Sequence, residues 1–330
     1  MRAEVLRASR GAARLVAALV MVAGVAWSAD ADAFCRTHTG KLPADFPAGQ
    51  CFDQGFPLFW KNSCVGYSLS TKVSAQISRE DATSIAARAF ARWTGTSCST
   101  DGTTGSRASI DARDLGPVDC ATNTYVSSKP NQHVIFFADD TWPYGDQSNT
   151  LGKTFVTFNA DTGEIYDADM AINTHEYRVT TQDPVPKDGY DLDSIITHEA
   201  GHFLGLAHSD NHQAVMYPTY NAGATNMRNL TNDDITGVCS IYHPDGKRVV
   251  FDNSGNQLTM GDSCDPTPRG GFQSACPTPG NSTCAVSAIG VGGGSGGEPG
   301  MPFGASIGAA IALGLIARRA RSRRSVIAGA

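Results

Sequence analysis

His198-Glu199-Ala200-Gly201-His202-Phe203-Leu204-Gly205-Leu206-Ala207-His208 is the stretch on which the reading of this chain turns. Two histidines four residues apart on a helix lie on one face, so both imidazoles reach a single metal ion. Gly205 lets the chain leave the helix through a left-handed bend, which brings His208 round as a third ligand. Three neutral nitrogen donors leave the fourth position of a tetrahedral zinc to water, the pattern of a catalytic zinc site. Glu199 sits beside the first ligand but points elsewhere, and is the candidate general base. It takes a proton from that water and later delivers it to a leaving amine. HExxH alone also fits an ordinary exposed helix. A distant glutamate is another possible third ligand, but His208 at its spacing makes one superfluous.

Working outward, the spacing predicts a helix beginning near Asp191, its N-cap, and carrying Ile195, Ile196, His198, Glu199 and His202, with Gly205 as its stop. A further helix is predicted from Thr231, with Asp234 as the returning cap and Ile235, Val238, Ile241 and Tyr242 buried. Upstream, Ser78 to Trp93 reads as an amphipathic helix with Ile85, Ala89 and Trp93 at helical spacing. Cys64 to Leu69 alternates like a strand with one buried face, and Val134 to Ala138 is a short apolar strand. Thr154–Phe158 and Glu164–Ile172 alternate around Asn159-Ala160-Asp161-Thr162-Gly163, a hairpin signal. Strands and helices mixed in this order predict an α+β or α/β domain over residues 56–245.

The flanks differ in composition. Arg2, Arg7, Arg10 and Arg14 precede the apolar run Leu15–Trp27, and Ala31-Asp32-Ala33 offers a cleavage site, so residues 1–33 read as a signal peptide. Residues 34–55 form a short turn-rich segment. Residues 246–300 are rich in Gly, Pro, Ser and Asn and read as a flexible linker, within which Cys264, Cys276 and Cys284 are placed to staple a small loop. Residues 301–330 combine the uncharged run Met301–Ala317, at the short limit for a membrane-spanning helix, with a cluster of five arginines. The net charge of -6 hides a more acidic body: residues 34–300 hold 17 Lys+Arg against 29 Asp+Glu, a balance of -12. That balance excludes nucleic acid and anionic membrane surfaces as partners of the body. Membrane contact is expected through the tail alone. Nine cysteines, none in a CxxC pair, point to disulfides in an oxidising compartment with one cysteine left over. Cys98 and Cys120 share one polar segment and are expected to pair. Cys284 is the candidate for the odd residue, with Cys35 on the zinc as the rival.

His198 to His208 as a whole resembles HExxHxxGxxH, the signature of the metzincin zinc endopeptidases, and Ser209 after it resembles the matrixin (matrix-metalloproteinase-like) branch. Val215-Met216-Tyr217-Pro218-Thr219-Tyr220 is similar to the methionine turn of that branch. The resemblance implies that Met216 supports the base of a zinc site and that Pro218-Thr219-Tyr220 forms the outer wall of the S1' pocket. It also implies that Ser194, four residues before His198, lines the base of that pocket. Pro218 stands where other branches place a ligand tyrosine. Leu230–Gly237 followed by Ile241-Tyr242 is similar to the closing helix of matrixins, and the Trp60 strand and Ala89–Trp93 fit the start of that domain. The resemblance covers roughly residues 56–243. It implies an α+β catalytic domain with a mixed twisted sheet, protein or peptide substrates, a monomer, and a secreted or cell-surface location. No PRCGxPD cysteine-switch segment occurs.

His133, His175 and His212 lack partners at ligand spacing and read as surface residues, so no histidine-rich second zinc loop is expected. Asp139, Asp140, Asp146, Asp161, Asp167 and Asp169 lie in or beside predicted loops; calcium is a candidate there, against solvated loop carboxylates. The tail, separately, resembles the tripartite sorting tails of bacterial surface proteins (PEP-CTERM and MYXO-CTERM type), although Cys284 lies upstream of its usual place. A plain C-terminal anchor is the alternative. The competing function for the whole chain is a surface binding module whose zinc is silent, against which an intact Glu199 argues.

Overall fold

The structure is a computed structural model. It describes residues 34–277 apart from 48–49, 99–105, 145–148, 252–253, 256 and 260–263, together with 308–313 and 316–318. After a two-residue strand, β1 (Cys35–Arg36), the chain enters β2 (Cys64–Leu69), buried along its whole length. One buried face was the expectation. β2 is an interior strand with parallel neighbours on both edges, and both of its faces are covered: Tyr67 stacks on Phe90 on one, and a Cβ on Gly66 would stand 2.4 Å from Leu115 and from the Pro266 carbonyl oxygen on the other. Helix α1 (Arg79–Thr94) starts where Ser78 accepts a hydrogen bond from the Asp81 N–H, and it buries Ile85, Ala89 and Trp93 as the spacing predicts.

β3 (Asp111–Asp114), β4 (Val134–Phe137), β5 (Gly152–Asn159) and β6 (Ile165–Ile172) complete the chain's first half. β3, β2, β4 and β6 pair in parallel, and β5 returns antiparallel on β6 through the expected hairpin. Gly163 in that turn has φ +78, and a Cβ there would stand 2.2 Å from the Pro57 carbonyl oxygen. The short strands β7 (Val179–Thr180) and β8 (Tyr190–Asp191) pair in parallel and lead into helix α2 (Leu192–Phe203). β9 (Leu206–Ala207) then pairs with β1, followed by β10 (Thr219–Asn221) and helix α3 (Asn232–Ile241), which carries the predicted Thr231/Asp234 capping box.

The main core joins the sheet to α1 and α2. Phe90 stacks on Tyr67 at 4.3 Å and meets Phe203 edge-on at 5.1 Å. A smaller core of Val118, Val134, Phe136, Trp142 and Ala171 covers the other side of β4 and β6.

Past Pro244 the chain stays on this domain, which corrects the linker reading for the described residues up to Cys276. β11 (Lys247–Phe251) and β12 (Gln257–Thr259) form a hairpin. The buried Arg248 donates to the Trp60, Asn62 and Ser109 carbonyls and to Ser109 Oγ. The disulfides are Cys35–Cys51, Cys64–Cys264, Cys98–Cys239 and Cys120–Cys276. Cys98 therefore does not pair with Cys120, and Cys35 is not available to a metal. Cys264 and Cys276 reach back to β2 and to the segment before β4 instead of stapling a local loop. Sequence proximity misled here because the fold brings Cys64, Cys98 and Cys120 each beside a partner 141 to 200 residues away. Cys284 lies outside the described residues.

The tail also departs from expectation. Within Met301–Ala317 and just beyond it, the described residues form two strands, β13 (Gly308–Leu313) and β14 (Ile316–Arg318). β13 pairs antiparallel with β5, completing a six-stranded sheet of order β13-β5-β6-β4-β2-β3, and β14 pairs in parallel with β10. Among the described residues no helix is long and apolar enough to cross a membrane. The run is long enough to suggest a helix, but an unpaired strand edge offers its backbone an alternative set of hydrogen bonds.

Candidate active site

Helix α2 is buried on every side, not along one stripe. Its start is fixed by Asp191, whose Oδ2 accepts from the Ser194 N–H at 2.9 Å and the Ser194 hydroxyl at 2.8 Å. Arg228 closes on the same carboxylate through Nε at 2.8 Å and Nη2 at 2.9 Å. At the helix end, Trp60 Nε1 donates to the Phe203 carbonyl and the Tyr242 hydroxyl to that of Leu204, both at 2.8 Å, so carbonyls left over by the helix find partners. Gly205 turns the chain out at φ +98, where a Cβ would stand 2.8 Å from the Leu58 carbonyl oxygen.

This turn brings the three histidines together. Their ring centroids lie 4.8 to 5.4 Å apart, and one nitrogen from each falls within 4.8 Å of the others. His198 Nδ1 lies 2.6 Å from the Val215 carbonyl oxygen and His202 Nδ1 lies 2.9 Å from that of Leu206. A carbonyl only accepts, so both Nδ1 atoms carry the hydrogen and both Nε2 lone pairs point inward. His202 Nε2 and His208 Nε2 stand 3.3 Å apart, and the buried His198 Nε2 has no hydrogen-bond partner. Burial, together with the His208 charge, holds the His198 pKa down to about 3, and burial also holds His202 well below the usual value. The neutral, oriented imidazoles of His198 and His202, with the orphaned buried Nε2 of His198 and with His208 beside them, make a donor set that fits a zinc ion.

Glu199 is fully buried, and its Oε2 accepts from the Thr154 hydroxyl at 2.7 Å. A Cβ on Gly152 would stand 2.8 Å from Glu199 Oε1, so β5 supplies both a donor and room for the carboxylate. Neither residue was singled out from the sequence. The β5 alternation marks Thr154 as facing one side, but not which side, nor that the helix lies over it.

Met216 lies under α2 at Gly201, where a Cβ would be 2.2 Å from its sulfur. The turn before it is held by Asp234, which accepts from the Val215 N–H at 2.9 Å and the Met216 N–H at 3.1 Å while capping α3 at Thr231. Ser209 donates from its hydroxyl to Asp233 at 2.7 Å and from its N–H to the Met216 carbonyl at 2.9 Å. These anchors give the Val215 carbonyl that orients His198 a fixed position. Pro218 and Tyr220 are buried; the Tyr220 hydroxyl donates to the Ala224 carbonyl and also bonds to Ser194, so those two predicted pocket residues are neighbours. Tyr217 sets its ring against His212 at 4.5 Å.

Two sets of predicted surface groups are not on the surface. His133 is buried, with Nδ1 2.7 Å from the Gly66 carbonyl oxygen and its ring against those of Trp60 and Phe203. Asp167 and Asp169 are buried in β6 instead of lying in solvated loops, because the smaller core covers the second face of that strand. Burial raises the Asp167 pKa to about 8 and pushes Asp169 up as well. Asp167 is therefore protonated and His133, held down to about 4, is neutral, so their 3.9 Å approach is not an ion pair. His175 and His212 are exposed as expected. Asp139 accepts from the Ala75 N–H and the Thr174 hydroxyl, Asp140 and Asp161 are exposed, and Asp146 lies outside the described residues.

Residues 59–243 match the Matrixin family model. Matrilysin of Rattus norvegicus is 36% identical over 109 residues, covering 33% of this chain and 36% of that protein. Matrix metalloproteinase-26 of Homo sapiens is 33% identical over 104 residues, covering 32% and 36%. Metalloendoproteinase 1-MMP of Arabidopsis thaliana is 28% identical over 194 residues, covering 57% and 45%. The chain thus spans between about a third and a half of each of these relatives. With more than half of its own length in the family match, and the three histidines, the glutamate and the methionine turn assembled around one point, the chain belongs to the matrixin family of zinc metallopeptidases.

Proposed function

We propose that this protein is an exported endopeptidase that hydrolyses peptide bonds of extracellular proteins, with zinc on His198, His202 and His208 and Glu199 as general base. The carrying observation is the convergence of three histidines on one point, two of which, His198 and His202, set Nδ1 on a carbonyl oxygen and so turn Nε2 inward. Bound zinc would polarise a water molecule, lowering its pKa to about 7, and polarise the scissile carbonyl. Glu199 would take the proton from the attacking water as that water's oxygen adds to the carbonyl carbon. Glu199 then passes a proton to the amine nitrogen as the C–N bond breaks. The Thr154 hydroxyl holds the carboxylate in place for both transfers. Ser194, Pro218 and Tyr220 form the S1' pocket, and the small Ser194 side chain leaves it deep enough for leucine, methionine or phenylalanine.

The leader over residues 1–33 and the disulfides support export. The decisive experiment measures zinc and casein cleavage together. Wild type should hold about one zinc and lose activity to phenanthroline; Glu199→Ala should keep the zinc and lose cleavage. Activity that survives chelation sinks the proposal. A zinc-loaded wild type that cuts nothing favours the silent binding module.

A further inference from the structure

β5 is the strand that holds the general base, and β13 covers its outer edge. The register is specific: Leu313 lies opposite Thr154, the residue whose hydroxyl binds Glu199. Three residues later Ile316 lies opposite Thr219, which is itself three residues beyond Met216. Three Cα steps span at most about 10 Å. Within that distance the chain passes from the strand beside the base to the strand beyond the methionine turn. It pairs antiparallel with β5 and then in parallel with β10, so its backbone is tied first to the strand that holds the base and then to the strand that follows the methionine turn. Main-chain pairing of an extended segment to an exposed strand edge is how a groove holds a peptide with little regard to its side chains.

We infer that residues 308–318 are the cleft's own ligand, a tethered strand that occupies the substrate path in cis and competes with outside peptides. The inference rests on the reading of this cleft as a peptidase site. A short tether gives a segment an effective concentration on the order of 1 mM. Against a dissociation constant near 0.1 mM, an ordinary value for a short extended peptide, the apparent KM of an outside substrate rises by roughly tenfold.

The test uses the full-length chain. Ala310→Pro/Ile311→Pro removes two successive N–H groups, one of which must face β5 in an antiparallel ladder. In a Glu199→Ala background, which prevents self-cleavage, the β5 amides should exchange slowly with an intact tail and at least tenfold faster with the proline pair. In the active chain the same substitutions should lower the apparent KM for a quenched fluorescent peptide by about tenfold and leave kcat unchanged. Equal exchange in the two forms overturns the inference. Protection that grows with protein concentration would place a second copy's tail in the cleft and also overturns it. The expected exchange difference in a protein that cleaves nothing would keep the tail in the groove while refuting the peptidase reading, so the two failures are separable.

Discussion

Gly201→Ala is the sharpest probe of how Met216 serves the site. The added methyl would stand 2.2 Å from Met216 Sδ, 3.2 Å from its Cε and 2.9 Å from Trp93 Cζ2. Comfortable contacts lie near 3.5 to 4 Å, so the sulfur must retreat by more than about 1 Å. Met216 is 2% exposed and Trp93 0%, which leaves nowhere to retreat without moving the turn. Overpacking in such a layer costs about 3 kcal/mol, the upper end of the usual range. Alanine's better helix propensity returns about 1 kcal/mol, so the net loss should be about 2 kcal/mol. Met216→Ala alone leaves a cavity and should cost about 3 kcal/mol. In the double variant the new methyl enters the vacated space, so the losses should fall short of additivity by about 2 kcal/mol. Urea unfolding at fixed free zinc measures all three. Coupling under about 0.5 kcal/mol would refute the view that the thioether is the floor on which α2 rests.

Thr154→Val keeps the shape of β5 but removes the donor to Glu199. A hydrogen bond to a charged group contributes about 1.5 to 3 kcal/mol, so kcat/KM should drop roughly tenfold to a hundredfold with zinc content unchanged. Asp234→Ala strips partners from Val215, Met216 and Thr231 at once and should cost about 3 kcal/mol in urea unfolding and weaken zinc binding; a loss under 1 kcal/mol would count against it. The pH dependence of stability has a worked sign. His133, lowered to about 4, adds stability that is lost as pH falls from 6.5 toward 4; Asp167, raised to about 8, costs stability as pH rises from 3.8 to 8. The two offset between pH 4 and 6.5. From pH 6.5 to 8 stability should fall, and because Asp167 and Asp169 are bonded to each other and both raised, Asp167→Asn should reduce that fall and the double Asn variant should abolish it. Ser194→Tyr should shift the P1' preference toward smaller residues without displacing zinc; an unchanged cleavage profile would show that the pocket lies elsewhere.

What could be read from the sequence divides by range. Ser78, Asp191 and the Thr231/Asp234 box act over three residues, and each caps the helix it was assigned to. His198 and His202 are bound by helical period and His208 by one glycine, so the triad is also local information. The misreadings all concern groups whose surroundings come from far along the chain. Asp167 and Asp169 look like polar positions of an alternating strand, and would be, were the second face of β6 open to water. Chain from beyond residue 245 is tied over that side of the sheet by Cys120–Cys276 and packs Cys276 against the smaller core. Later chain covers a face of β2 in the same way, through Cys64–Cys264 and the Pro266 carbonyl oxygen, 2.4 Å from where a Cβ on Gly66 would stand.

The Gly- and Pro-rich composition of residues 264–276 was read as a linker because it cannot build a core of its own. It does not need one: its backbone leans on Asn131 and its cysteines on β2 and the β4 approach. Loop closures of 156 and 200 residues are the kind a disulfide stabilises most, about 5 kcal/mol each in the chain-entropy picture. Composition thus reported correctly on what the segment can do alone. A polar-looking face can be buried, and a linker-like segment ordered, whenever a covalent tie supplies the contacts that local sequence lacks. The catalytic stretch escapes this ambiguity because its chemistry requires the ligands to be neighbours before any distant segment arrives.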